Sequence, residues 1–350
     1  MKTYNFYAGP SILPENVLND AAKAVKSLDD SGLSILEISH RSPAFTAIIK
    51  EAQDLVLDLT RLTGKGYKVL FLHGGASTQF LMVAQNLLQK KAAYLNTGRW
   101  SEKAIHEAQL FGEVVEVASS ADKNFSYIPQ DYTISEEVDY FHCTSNNTVA
   151  GTQIKDFPET DVPVVADMSS DIFSRELDFS KFSLIYAGAQ KNLGPAGTTL
   201  VIIKESILGK VERIIPTMLD YKTHLDKDSV FNTPSVYAIY VSLLNLRRIQ
   251  KEGGIAAAEK INNQKARLLY EAIDTNDDFE GLVARDSRSF MNVTFKLADE
   301  SRKEEFDQTW QDAGFVGLKG HRSVGGYRAS IYNAQPLESV QQLVELLNGF

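Results

Sequence analysis

Between residues 15 and 203 the sequence alternates helical apolar spacing with short apolar runs, and this rhythm constrains the fold most. Helical patterns occupy Glu15 to Ser27, Ala44 to Arg61, Phe80 to Gln89 and Ser101 to Phe111. Strand-type runs occupy Lys68 to His73, Ala92 to Asn96, Gly112 to Val117, Tyr140 to Cys143, Val162 to Ala166, Leu184 to Ala187 and Thr198 to Ile203. Strands that alternate with helices form a mostly parallel sheet covered on both faces, here with seven strands. After Gly253-Gly254 the pattern changes to a helix, two strands, a helix, a strand and a helix. The expected architecture is therefore α/β. A large domain spans residues 16–254, a smaller α+β domain spans 255–350, and residues 1–15 pack against the smaller one.

Ligands of such sheets bind beyond the carboxyl ends of the strands, and two residues there carry chemistry. The run Phe182 to Tyr186 delivers Lys191 into a loop of small residues that ends Gly194-Pro195-Ala196-Gly197. An apolar strand draws the lysine towards an interior, and small neighbours leave space for a planar partner. A desolvated lysine loses its proton more readily and attacks carbonyls. The preceding strand, Val162 to Ala166, ends in Asp167. A carboxylate and an amine at neighbouring strand ends suit pyridoxal phosphate, the one holding the pyridinium proton and the other bonding the aldehyde. They equally suit a structural ion pair.

A phosphate needs its own place, and the run Lys68 to His73 leads into Gly74-Gly75-Ala76-Ser77-Thr78 and then a helical pattern. Such a turn lets backbone N–H groups approach an anion at a helix start, and Ser77 or Thr78 can donate or cap. It lacks the Gly-Lys-Ser/Thr of a P-loop and the G-x-G-x-x-G of a dinucleotide turn.

With these elements in place, the chain resembles the phosphoserine aminotransferases, fold-type I pyridoxal-phosphate enzymes of the class V aminotransferase group. The resemblance runs nearly end to end. It is carried by Asn5 to Pro10, Ser39-His40-Arg41, Val69 to Ser77, Tyr186 to Gly197, Phe231 to Pro234 and, most specifically, Lys319 to Ala334. It implies that Lys191 and Asp167 are catalytic. It implies that Ala76, Ser77, Trp100, Thr148, Gln190, Asn232 and Thr233 join them around the cofactor. Trp100 would stack on the pyridine, Thr148 would bond near the phenolic oxygen, and Asn232 and Thr233 would reach the phosphate from a second subunit. Arg328 would take the substrate α-carboxylate, and His40, Arg41, His321 and Arg322 the distal anion. Some family members carry arginine where Ser77 stands, which bears on cofactor affinity here.

The implied reaction is ping-pong transamination between glutamate and 3-phosphohydroxypyruvate, giving O-phosphoserine and 2-oxoglutarate, within serine biosynthesis. A secondary activity on the phosphorylated hydroxy-threonine precursor of pyridoxine is implied with it, as is a homodimer with shared sites.

Composition narrows the alternatives. A net charge of −9 disfavours nucleic acid as a partner. One cysteine, Cys143, excludes a disulfide framework and a cysteine-built zinc site, and no metal is expected. No run approaches the length of a membrane span, and the opening residues carry no apolar leader, so a cytoplasmic protein is expected. A cysteine desulfurase would need a mobile nucleophilic cysteine, and Cys143 ends an apolar strand. An alanine–glyoxylate-type enzyme has no reason for paired His-Arg clusters. A non-catalytic cofactor-binding protein would be expected to lose Lys191 or Asp167.

Overall fold

The structure, a computed structural model, describes residues 2–29 and 31–350. Its centre is a sheet of β1 (Tyr67–Leu72), β2 (Lys91–Asn96), β3 (Glu113–Ser119), β4 (Tyr140–Thr144), β5 (Val164–Asp167), β6 (Leu184–Gly188) and β7 (Thr199–Lys204). The seven strands lie in the order β1-β7-β6-β5-β4-β2-β3. All pairs are parallel except the two made by β7, which runs antiparallel to β1 and to β6. Reversal of β7 brings its first residues to the edge where β5 and β6 end, so Thr198 joins the same rim as Asp167.

Both faces of this sheet are buried, which explains why the strands read as continuous apolar runs. Alternate residues serve opposite layers. Val69, Phe71, Ala166 and Ile185 pack with α2 (Pro43–Leu59) and α5 (Val236–Lys251). Leu70, Leu72, Val165 and Leu184 pack with α3 (Gly75–Leu87) and α4 (Arg99–Ala108). α1 (Glu15–Lys26) lies outside, with Val17 and Ala21 against Val241. α2 begins at Ser42, whose hydroxyl accepts from the N–H of Phe45, with Pro43 in the first turn where its missing donor costs nothing.

A second core gathers around the antiparallel sheet β8 (Phe279–Gly281), β9 (Asn292–Leu297) and β10 (Tyr327–Ser330). α6 (Gly254–Thr275), α7 (Lys303–Asp312) and α8 (Leu337–Gly349) pack against it. Phe6 is part of this core, and Tyr4–Asn5 pair in parallel with Phe315–Val316. Polar side chains join the two cores: Asn146, next to β4, donates to Ser170 and to Asn292, and accepts from Ser289. Lys265 is fully buried and donates to the carbonyls of Ile331, Tyr332 and Gln335, fixing the chain just past β10.

One sequence expectation is corrected here. The helix after the glycine turn begins at Gly75, not Phe80, because Gly74 adopts a left-handed conformation (φ 90°) and the chain turns helical at once. No helix among the described residues is long and apolar enough to cross a membrane.

Candidate active site

The carboxyl ends of β5 and β6 open into a cavity of about 540 Å³. Asp167 and Lys191 stand on its floor, Gly75, Ala76 and Ser77 on one side, and Trp100, Thr148, His321 and Arg328 on the other. Gln190 and Thr198 complete the wall, together with Ala8, Gly9 and Pro10 from the start of the chain.

Asp167 is the last residue of β5 and only 5% exposed. Its Oδ1 accepts from the N–H of Ser169 at 2.9 Å. Burial raises its pKa, while Lys191 and the Ser169 donors oppose the rise. Among the described residues no cationic side chain lies within ion-pairing distance of it. A buried carboxylate without a cation is unfavourable unless a ligand supplies one, and a protonated ring nitrogen does that.

Lys191 follows β6 in the loop that the small residues shape. Burial lowers its pKa, Asp167 pulls it back up, and Arg328 pushes it down again. Its Nζ stands 5.6 Å from the centroid of the Trp100 ring. The indole is held in turn, since its Nε1 donates to the Thr148 hydroxyl at 3.0 Å. Ring, amine and the Asp167 carboxyl thus line one cavity.

At the side, Gly74 has no substitute: a Cβ there would meet Thr78 Oγ1 at 2.0 Å. Thr78 donates its hydroxyl to the Gly74 carbonyl at 3.1 Å, which leaves Ser77 as the hydroxyl facing the cavity. With the first-turn N–H groups of α3, Ser77 forms a neutral cradle for a phosphate. The donors fit pyridoxal phosphate: an amine for the aldehyde, a carboxylate for the ring nitrogen, an indole face, and an anion cradle.

Arg328, on β10, donates from Nη1 to the Thr148 carbonyl at 2.7 Å, while its Nε is buried without a partner. Burial lowers its pKa. A guanidinium held by one arm with donors left over is positioned for a carboxylate. His321 tops a tight hairpin, its Nδ1 2.7 Å from the Ser323 hydroxyl. Gly320 makes that hairpin possible, because a Cβ there would lie 2.0 Å from the Gly325 carbonyl oxygen. Burial and the charges of Arg99, Arg328 and Arg322 lower the His321 pKa. Arg322 is exposed beside it and does not line the cavity.

Besides Arg322, four further expected residues are not brought together with the rest in one chain. His40 and Arg41 lie in the turn that leads into α2, which covers the opposite face of the sheet. Asn232 and Thr233 precede α5, with Thr233 exposed and its carbonyl 3.0 Å from Nε2 of His73. None of the four lines this cavity.

Sequence reasoning assigns no role to Ser169 or to Ala8, Gly9 and Pro10. Ser11 donates through its N–H to the Gln190 carbonyl at 2.9 Å and through its hydroxyl to the Lys191 carbonyl at 2.6 Å. Tyr332 donates to the Ala8 carbonyl at 2.6 Å. The opening segment is therefore strapped over the lysine. Ser169 had a local signal, standing two residues after the strand-end carboxylate. The strap had none beyond its motif.

The comparisons with known proteins agree with this geometry. Residues 3–343 match the family model described as aminotransferase class-V. A phosphoserine aminotransferase of Flavobacterium johnsoniae is 62% identical, and the alignment covers 100% of this chain and 99% of that protein. The solved phosphoserine aminotransferase of Bacillus circulans subsp. alkalophilus is 45% identical, covering 99% of this chain and 98% of the other, with a TM-score of 0.96. A PLP-bound phosphoserine aminotransferase from Trichomonas vaginalis is 35% identical, covering 99% and 100%, with a TM-score of 0.94.

Proposed function

The chain belongs to the phosphoserine aminotransferases of the class V aminotransferase family, and on that premise we propose how its residues divide the work of transamination. The observation that carries this division is Lys191 and Asp167 at the ends of adjacent strands, beneath Trp100 and beside a half-free Arg328.

Pyridoxal phosphate supplies an aldehyde and an electron-drawing ring. Asp167 holds the proton on the ring nitrogen, and its burial strengthens that contact. Ser77 and the α3 N–H groups hold the phosphate, and Gln190 adds a wall close to the lysine. Lys191 would hold the cofactor through its aldehyde carbon, and its Nζ, when free, would be the base that takes the proton from the substrate Cα and the acid that hands one back. Its lowered pKa keeps a share of the amine neutral for that duty. Arg328 takes the α-carboxylate on its unused donors. His321 faces the distal anion, the γ-carboxylate of glutamate or the phosphate of 3-phosphohydroxypyruvate, and the exposed Arg322 beside it adds positive charge from outside the cavity. One anion pair thus serves both half-reactions, and the phosphorylated hydroxy-threonine precursor of pyridoxine carries the same pair as a secondary substrate.

Asn232 and Thr233, assigned to a neighbour's phosphate, stand outside the cavity of their own chain, as do His40 and Arg41, and this fits a two-fold dimer. Met218 and Phe231, both exposed and bridged through His224, add apolar surface near Asn232 that pairing would bury. A cytoplasmic setting fits a lone, unpaired cysteine. That cysteine also argues against a desulfurase, because Cys143 is 0% exposed and burial pushes its thiol pKa up.

The test is an assay of purified, cofactor-loaded protein. Glutamate with 3-phosphohydroxypyruvate is expected to give O-phosphoserine far faster than alanine with glyoxylate gives glycine. The reverse ranking would overturn the substrate assignment.

A further inference from the structure

Two cavities adjoin at Trp100 and Val149, which line both: the one over Lys191, and a second space of about 630 Å³. Its wall includes Arg99, Lys123, Asn124, Ser126, Ser323 and Val324. Asn124 and Phe125 on that wall both hold left-handed backbone (φ 50° and 60°), which non-glycine residues adopt only where surrounding structure enforces it. The second space is therefore shaped by a fixed loop opposite the His321 hairpin.

Arg99 is the first residue of α4, so its backbone is fixed by the helix that places Trp100. Among the described residues its guanidinium makes no hydrogen bond or ion pair, and Glu102 on the same wall does not neutralise it. Ser323 and Val324 of the His321 hairpin line this same space with Arg99, and the charge of Arg99 is among those that lower the His321 pKa. Arg322 points into solvent, whereas Arg99 is half-buried. A half-buried, unpaired fork next to an imidazole is a stronger anion site than an exposed one.

Resting on the phosphoserine aminotransferase reading, we propose that Arg99 is a specificity-determining residue, whose guanidinium meets the distal phosphate of the substrate beside His321 and favours it over a carboxylate. A phosphate offers three oxygens and nearly two charges. Arg99 and His321 can share it, while a γ-carboxylate satisfies one of them.

The test compares Arg99→Gln and Arg99→Lys with the unaltered holoenzyme. Single-turnover half-reactions are followed with 3-phosphohydroxypyruvate, L-glutamate and L-alanine, the last lacking any distal anion. Calorimetry measures binding of 3-phosphoglycerate, which carries both anions but neither keto nor amino group. In Arg99→Gln, kcat/KM for 3-phosphohydroxypyruvate and affinity for 3-phosphoglycerate are expected to fall about tenfold or more. Glutamate is expected to lose about threefold and alanine less than twofold, with Arg99→Lys recovering part of the phosphate-dependent loss. An equal loss on alanine would mean that Arg99 acts by placing Trp100 and would overturn the proposal, as would undiminished 3-phosphoglycerate affinity. Failure of the unaltered enzyme to turn over 3-phosphohydroxypyruvate would overturn the substrate reading instead, and 3-phosphoglycerate binding would still judge Arg99.

Discussion

The indole N–H of Trp100 is satisfied by the hydroxyl of Thr148 at 3.0 Å, so the ring that covers the cavity is oriented from the loop after β4. The same threonine accepts through its carbonyl from Arg328. Cofactor wall and carboxylate fork therefore share one anchor.

Thr148→Val removes the hydroxyl and leaves the indole donor unmatched, at a cost of about 1–3 kcal/mol. The expected result is weaker cofactor retention with the Arg328 contact preserved, because that contact uses the backbone. Cofactor dissociation after dilution, compared with Thr148→Ser, measures it. Equal retention in the valine and serine variants would mean that Trp100 needs no anchor.

Lys191→Ala is expected to leave no borohydride-reducible lysine adduct and almost no turnover, while the protein keeps its folded melting transition. Mass spectrometry of the reduced, digested protein decides the point. An adduct that survives on another lysine would displace Lys191 from its role.

The pH dependence of cofactor uptake follows from the charges around Lys191. Only the neutral amine attacks the aldehyde, so uptake by apoenzyme rises as pH passes the Lys191 pKa and levels off above it. Burial puts that midpoint below the ordinary lysine value of 10.5, and Arg328 depresses it further. Arg328→Leu removes a lowering charge, so its midpoint is expected at higher pH than that of the unaltered chain. A midpoint that moves down or stays fixed contradicts the assigned electrostatics.

Arg328→Leu and Arg322→Leu should differ in size. Arg328 is half-buried with a spare donor, so losing it is expected to reduce kcat/KM in both half-reactions by about 2–5 kcal/mol. Arg322 is exposed, and its loss is expected to cost about 1 kcal/mol or less and to shrink with added salt. Stopped-flow half-reactions at two ionic strengths separate the two.

Shared sites predict complementation between defective subunits. Lys191→Ala lacks the lysine, and Asn232→Ala/Thr233→Ala lacks the donated phosphate contacts. Each mixed dimer then contains one site with both defects and one with neither. Refolding the two together is expected to restore roughly a quarter of normal sites if exchange is free. No gain over the separate controls, with exchange shown by a tag, would return Asn232 and Thr233 to their own subunit or to no site.

Legibility in the sequence followed the range of the interactions. Asp167 and Lys191 could be read because a strand announces its own end, and the covered sheet because burial on both faces leaves uninterrupted apolar runs. α3 starts five residues before its apolar period becomes visible at Phe80, since Gly75, Ala76 and Ser77 carry no apolar period although they lie in the first helical turn. Reversal of β7 is invisible locally, as parallel and antiparallel strands buried on both sides share one composition. Ser11 meets Lys191 across 180 positions, and Arg328 meets Thr148 across the same separation, which no window along the chain detects. Resemblance supplied Arg328 and His321. It did not supply Arg99, whose importance depends on the shape of the second space at Trp100.

The strap from Ala8 to Ser11 is held at two ends that lie far apart in the sequence. Ser11 fastens it to the carbonyls of Gln190 and Lys191, while Tyr332 holds Ala8 and the strand pairing just before it uses Phe315 and Val316. A chain cut before residue 315 would keep the first fastening and lose the second, so the wall over Lys191 would hang from one end, like a latch without its hinge.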